Sequence, residues 1–201
     1  MDVSGLLRRA AALVSPDARS DAGACSNDAV DYLNHSEWEL ALDILTDFDG
    51  LTWHTVEYWD LLATAAGHMS REHDAAWCRW RASETRHGVI RVDLQLADPG
   101  TSGRRSPIPG AGVLRPMWAF SATPGPDTPR HIARMWVEFL PALPPGGRAS
   151  VRLLPLAPES WAHLAPGDVI TMYEAEPVSG VATIIQVLQA GGGAPGQPGD
   201  T

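Results

Sequence analysis

Residues 88–96, GVIRVDLQL, decide how the chain is organised, because the spacing of apolar residues changes at this point. Four apolar side chains alternate here with polar ones: Ile90, Val92, Leu94 and Leu96. Alternation at every second residue is typical of a β-strand with one buried face. The segment therefore predicts a strand, and the glycine before it predicts a boundary between two halves of the chain.

Downstream of this strand the period-two pattern returns. Residues 133–139 alternate again, with Phe139 as the last residue predicted to point inward. Clusters of Pro and Gly separate the runs, as is common in all-β folds. The runs and turns of residues 88–189 are typical of an antiparallel barrel or sandwich, and our prediction is a barrel of about six strands. Its further strands are predicted at residues 151–153, 169–174 and 181–188.

Upstream, apolar residues recur at helical spacing. Ala41, Leu42 and Leu45 follow Trp38 at intervals of three, four and seven, which predicts one helix. Ser36 and Glu39 have the spacing of a capping box at its start.

Three more helices complete the predicted helical bundle. A short one is predicted around Ala29 to Leu33. The next is predicted to start at Thr52 or Thr55 and stop at Gly67, and the last to be capped by Ser70 and end at Gly88. The predicted class is α+β, a small α-helical bundle followed by the barrel. Its predicted parts are an N-terminal helix and linker (1–24), an acidic helical domain (25–87), the barrel (88–189) and a disordered Gly/Pro tail (190–201).

Composition excludes several classes of function. Among 201 residues the basic set is 15 arginines and no lysine, so neither a P-loop nor a Schiff-base lysine is available. The formal net charge of −9 argues against a nucleic-acid coat or a polybasic membrane binder. Two cysteines are too few for a zinc site or a disulfide framework. With neither a secretory signal nor a spanning helix in the sequence, we expect a cytoplasmic protein with reduced cysteines and no membrane partner.

Negative charge is concentrated in the helical half. Residues 28–60 hold nine acids and no arginine, and Glu39, Asp43 and Asp47 recur four apart, so they repel one another along one helix face. One interpretation is a solvated acidic face with tryptophans in the core. The other is a surface for a basic protein partner, anchored by a tryptophan. On that interpretation the partner-binding residues are Glu37, Trp38, Glu39, Asp43, Asp47, Asp49, Trp53, Glu57, Trp59 and Asp60.

Residues 102–118, SGRRSPIPGAGVLRPMW, resemble the start of the third domain of elongation factor Tu. Gly103-Arg104 matches the first turn of that domain in part, and Arg115-Pro116 followed by Trp118 matches the second. A Pro-Gly-Asp turn ending at Asp168 and the last predicted strand extend the resemblance over residues 89–189.

The resemblance implies a barrel that contacts tRNA and translation proteins and has no chemistry of its own. Arg104, Arg105 and Arg115 are then candidate RNA-binding residues. The alternative for Arg115 is that its side chain braces a barrel turn through hydrogen bonds to carbonyl groups.

Residues 27–45, NDAVDYLNHSEWELALDIL, resemble small helical immunity proteins that accompany polymorphic bacterial toxins. That resemblance implies a toxin as the basic partner and brings no catalytic residues.

The sequence predicts no catalytic residue, metal site or cofactor. His54 and Glu57 have the spacing of one carboxylate-bridged metal motif, but such sites need two copies, so a surface histidine is expected. Two functions remain: a non-enzymatic protein-binding module, or a translation-associated RNA-binding protein.

Overall fold

The structure, a computed structural model, describes residues 2–48, 53–102 and 104–189. The chain divides between Arg86 and His87 into two compact units, a helical unit and a barrel unit. The predicted α+β class is confirmed: five helices precede a closed antiparallel barrel of six strands. The predicted tail, residues 190–201, lies outside the described residues.

The helical unit packs its N-terminal helix into the bundle. Helix α1 lies against α4 and α2, and α2 lies against α3. The core is made of fully buried side chains from all five helices, among them Leu7, Leu42, Tyr58 and Trp59. The helices are α1 (Val3–Ala12), α2 (Ser26–Asn34), α3 (Trp38–Thr46), α4 (Val56–His68) and α5 (Glu72–His87).

One of the three predicted helix starts is confirmed. Thr55 caps α4, because its hydroxyl accepts a hydrogen bond from the Tyr58 amide at 3.1 Å. The prediction was wrong for Ser36 and Ser70, which lie just past the ends of α2 and α4 in the left-handed region, with φ of 64° and 59°. Helix α4 also continues through Gly67 to His68.

Both serines occupy the position after the helix end that glycine usually fills. At Ser36 the Glu37 amide donates to the Tyr32 carbonyl at 2.9 Å, and the Ser36 amide donates to the Leu33 carbonyl at 3.3 Å. This pair of bonds is the Schellman motif, which satisfies the last carbonyls of a helix. The same two bonds recur around Ser70. Serine is common at both ends of helices, so its position alone does not tell a start from a stop.

Substitution Ser70→Gly is expected to raise the free energy of unfolding by about 1 kcal/mol, since a left-handed conformation costs a residue with a Cβ about that much. The same substitution at Ser83, inside α5, is expected to lower it by about 0.5 kcal/mol. Urea denaturation followed at 222 nm measures both. A loss of stability for Ser70→Gly would contradict the assigned turn.

The barrel closes on itself through antiparallel pairs in the order β1, β6, β4, β3, β7, β8 and back to β1. Alternate residues point inward, and its fully buried core includes Val92, Trp118, Met135 and Val151. The strands are β1 (Val89–Leu96), β2 (Ile108–Pro109), β3 (Met117–Ala119), β4 (His131–Val137), β5 (Ala142–Leu143), β6 (Arg148–Pro155), β7 (Val169–Tyr173) and β8 (Val178–Leu188); β2 and β5 form a separate pair. Two short helices, Pro99–Ser102 and a 3₁₀ turn at Pro158–Trp161, complete the unit.

The end of β4 differs from the prediction. Ala133, Met135 and Val137 point inward as expected, but the strand stops at Val137. Phe139 is not an inward residue: it has a φ of 60° and is 89% exposed. Trp136, which alternates with the inward residues of β4, is buried as well. The period-two pattern cannot show where a strand ends when the next residue in the alternation, here Phe139, is also apolar.

Candidate functional site

The turn between α2 and α3 presents a short run of residues to solvent. Because Ser36 turns the chain in the left-handed conformation, α3 begins at Trp38 with Glu37 as its N-cap residue. The Glu37 carboxylate makes no capping hydrogen bond, so the predicted capping box at Ser36 and Glu39 is absent. Glu37, Trp38, Glu39 and Leu40 are all exposed.

These four residues line a groove of about 620 Å³ on the helical unit. Trp38 is 41% exposed and Leu40 46% exposed, although Ala41 and Leu42 beside them are fully buried. The groove therefore combines large apolar side chains with two carboxylates, those of Glu37 and Glu39. Its other lining residues are Val3, Ser36, His68 and Met69.

Leu40 and Met69 are groove residues that were not predicted from the sequence. Leu40 falls outside the stripe formed by Ala41, Leu42 and Leu45. An apolar residue off the buried face of a helix is a signal that could have identified it as a surface contact residue. For Met69 and Val3 there was no such signal, because tertiary packing alone brings the end of α4 and the start of α1 to the groove.

Arginines from other segments neutralise three of the acids of residues 28–60. Asp43 pairs with Arg71 at 2.7 Å, Glu57 with Arg9 at 3.1 Å and Asp60 with Arg86 at 3.4 Å. The local field is thus weaker than the sequence count suggests.

Carboxylates without an ion pair, among residues 2–48 and 53–102, include Glu37, Glu39 and Asp47 of the predicted surface. Glu37 and Glu39 flank Trp38, whereas Asp47 lies at the C-terminal end of α3. Asp49 lies outside the described residues.

The three candidate anchor tryptophans have different positions. Trp59 is fully buried in the helical core, with Arg81 over its ring at 4.8 Å. The prediction of Trp59 as a surface anchor is therefore wrong, because no partner reaches it in this fold. Trp53 is half-buried, with its ring centroid 5.9 Å from that of Phe48. Only Trp38 of the three is exposed.

His54 is not the surface histidine that was expected. Its ring is 5% exposed and lies 3.8 Å from the Trp53 ring and 4.8 Å from the Trp59 ring, centroid to centroid. Glu57, by contrast, points to solvent and pairs with Arg9. The two side chains therefore do not form a shared metal motif.

A second groove adjoins the first through Glu37. It holds Asp28 and Asp31 of α2, together with Ala24, Tyr32, His35 and Ile44. Asp28 already accepts a hydrogen bond from the Cys25 amide at 2.7 Å, and this bond lowers the pKa of its carboxyl. Cys25 and Asp28 form a capping box at the start of α2, which was not predicted from the sequence.

The three candidate RNA-binding arginines do not form one patch of free cations. Arg104 is held by Glu174 in two hydrogen bonds of 2.5 Å and donates a third to the Ser106 carbonyl. Arg105 and Arg115 are exposed.

Arg115, in the segment that leads into β3, stands across from Arg134 of β4. The Met135 amide donates to the Leu114 carbonyl and the Ala133 amide to the Pro116 carbonyl, which places Arg115 opposite Arg134. Burial and then the Arg115 charge lower the pKa of the Arg134 guanidinium. Like charges in this position destabilise a sheet.

Potential metal ligands do not cluster in the described ranges. No set of three His, Cys, Asp or Glu side chains there is arranged to hold a metal ion. Cys25 and Cys78 are both free thiols, and burial raises the pKa of Cys78 to about 12. Among the helices of residues 2–102, none has the length and apolar character that crossing a membrane requires.

Comparison with known proteins gives no family assignment. The chain matches no model of a protein family and no curated protein.

Proposed function

We propose that this chain is a non-enzymatic, cytoplasmic protein-binding module whose groove around Trp38 engages a basic protein. The observation that carries the proposal is an exposed Trp38 flanked by Glu37 and Glu39, with exposed Leu40 in the same groove. Neither carboxylate forms an ion pair within the described residues.

Neither the exposed tryptophan nor the carboxylates beside it favour folding by themselves. An exposed tryptophan forgoes most of the free energy that its burial would provide. Tryptophan is, however, among the residues that contribute most at protein interfaces. Unpaired carboxylates beside it attract a positively charged partner and raise its association rate. The two features together favour a partner that offers apolar and basic groups side by side.

More specifically, we propose that the partner is a toxin and that this chain is its immunity protein. It is supported by the resemblance of residues 27–45 to helical immunity proteins, which includes Glu37, Trp38 and Leu40. In such a pair the acidic groove would cover a basic surface of the toxin and block it without chemistry.

Capture from a lysate of the source organism tests the proposal. The immobilised full chain is expected to retain a protein of net positive charge, because charge and apolar contact act together at the groove. The variants Glu37→Arg/Glu39→Arg and Trp38→Ala are expected to lose that protein. Mass spectrometry identifies what each variant retains.

A matched control separates the groove from net charge. Asp127→Arg/Glu159→Arg makes the same charge change on two exposed barrel acids. It is expected to retain the protein as the wild type does. The proposal is overturned if the control and the groove variants behave alike, or if the retained protein is acidic.

A second candidate function is RNA binding by the barrel. The Arg115 and Arg134 pair favours it, because two like charges held together gain from a phosphate group placed between them. The resemblance to elongation factor Tu supports the same candidate, with Arg104 contributing less because Glu174 holds it. Salt-dependent binding of tRNA that Arg115→Ala abolishes would replace the first proposal by this one.

A further inference from the structure

Two segments of the barrel unit lie together and carry no charged residue. Residues 106–114 and 139–147 contain only apolar, glycine, proline and serine residues. The Gly110 amide donates to the Pro141 carbonyl at 2.9 Å, and β2 pairs with β5. Three large side chains on these segments are exposed: Val113 at 71%, Phe139 at 89% and Leu140 at 42%. We call these three residues the Phe139 patch.

Phe139 lowers the stability of the isolated chain. Its φ of 60° lies in the region that favours glycine, and its side chain gains almost no burial in return. Bulky residues rarely adopt this conformation unless the surroundings or a function demand it. Glycine would serve the turn better. The phenylalanine is explained if something outside the chain covers it.

From these observations we propose that the Phe139 patch binds the same patch on a second copy of this chain. An uncharged apolar surface is electrostatically complementary to itself, and two-fold pairing is the commonest way for identical chains to associate. Such a pair would set Phe139 of each copy against Val113 and Leu140 of the other. The patch belongs to the barrel unit and the groove around Trp38 to the helical unit, so this inference uses none of the residues on which the proposed function rests.

The distribution of charge favours this pairing over contact through the helical unit. Residues 1–87 hold fifteen acids and seven arginines, whereas residues 88–201 hold nine acids and eight arginines. Two copies therefore repel one another strongly through their helical units and only weakly through their barrels.

Sedimentation of the full chain up to about 200 µM tests the proposal, because the dimer fraction must rise with concentration. The wild type is expected to shift from monomer to dimer over this range. Phe139→Gly and Val113→Asp are each expected to weaken the dimer at least about tenfold. Phe139→Gly is also expected to leave the urea midpoint unchanged or higher, because glycine relieves the φ of 60°.

Two controls make the result specific. Leu156→Asp changes another exposed apolar residue, near the opposite end of β4, and is expected to leave the dimer intact. Glu37→Arg/Glu39→Arg is expected to do the same, which separates this inference from the proposed function. A wild type that stays monomeric at about 200 µM overturns the proposal. So does an equal effect of Leu156→Asp and Val113→Asp.

Discussion

Substitution Glu84→Gln is expected to lower the free energy of unfolding by about 3–5 kcal/mol. Glu84 is fully buried in α5, where its carboxylate lies 3.1 Å from the Arg81 guanidinium and accepts a 2.6 Å hydrogen bond from the Trp80 indole. Arg81 is only 3% exposed and lies over the Trp59 ring. Removal of the carboxylate charge takes away the attraction between Glu84 and the buried Arg81 guanidinium, and breaking one side of a buried ion pair is strongly destabilising.

Urea denaturation followed at 222 nm measures the loss, since the signal comes mainly from the helical unit. Glu72→Gln, an exposed acid in the first turn of the same helix, is the matched control and is expected to change stability by less than about 0.5 kcal/mol. Equal effects of the two substitutions would contradict a buried ion pair in α5.

Substitution Trp59→Ala is expected to cost about 3–5 kcal/mol, because it removes a large, fully buried side chain and leaves a cavity. Trp38→Ala is expected to cost only about 1 kcal/mol, since Trp38 is partly exposed. The two substitutions are also expected to differ in binding: Trp38→Ala loses the basic partner, and Trp59→Ala keeps it under conditions where the chain is folded.

The same denaturation experiment, paired with capture at low temperature, makes the comparison. A Trp38→Ala variant that loses as much stability as Trp59→Ala would show that Trp38 belongs to the core. A Trp38→Ala variant that retains the partner fully would contradict its role as an anchor.

Five of the six barrel strands could be predicted because each carries its own period-two signal, whereas the three-residue β3 is too short to show one. Ile90, Val92 and Leu94 alternate with polar residues, and the barrel buries one face of each strand, so local pattern and tertiary environment agree. The pattern failed where the local signal was ambiguous. Phe139 continues the alternation of β4 in the sequence, but the chain leaves the barrel at Val137.

Charge pairing and burial in the helical unit were less predictable, because both depend on contacts between distant segments. Residues 28–60 contain no arginine, but Arg9, Arg71 and Arg86 reach their acids through folding. Helical spacing put Trp38 and Trp59 on inward faces alike, and only the packing of α3 and α4 distinguishes them. Of the predicted surface, Glu37, Trp38 and Glu39 are the residues that the fold brings together at one groove.

The association rate constant of the captured basic protein, measured against salt concentration, tests the central claim most directly. At about 10 mM ionic strength exposed charges act over about 30 Å, so the wild-type rate is expected to be high and to fall steeply as salt is added. Glu37→Arg/Glu39→Arg is expected to slow association at least about tenfold at low salt and to flatten the salt dependence, with Asp127→Arg/Glu159→Arg close to the wild type. A groove variant that associates at the wild-type rate at low salt would contradict the account, because the acids around Trp38 would then serve only to solvate the surface.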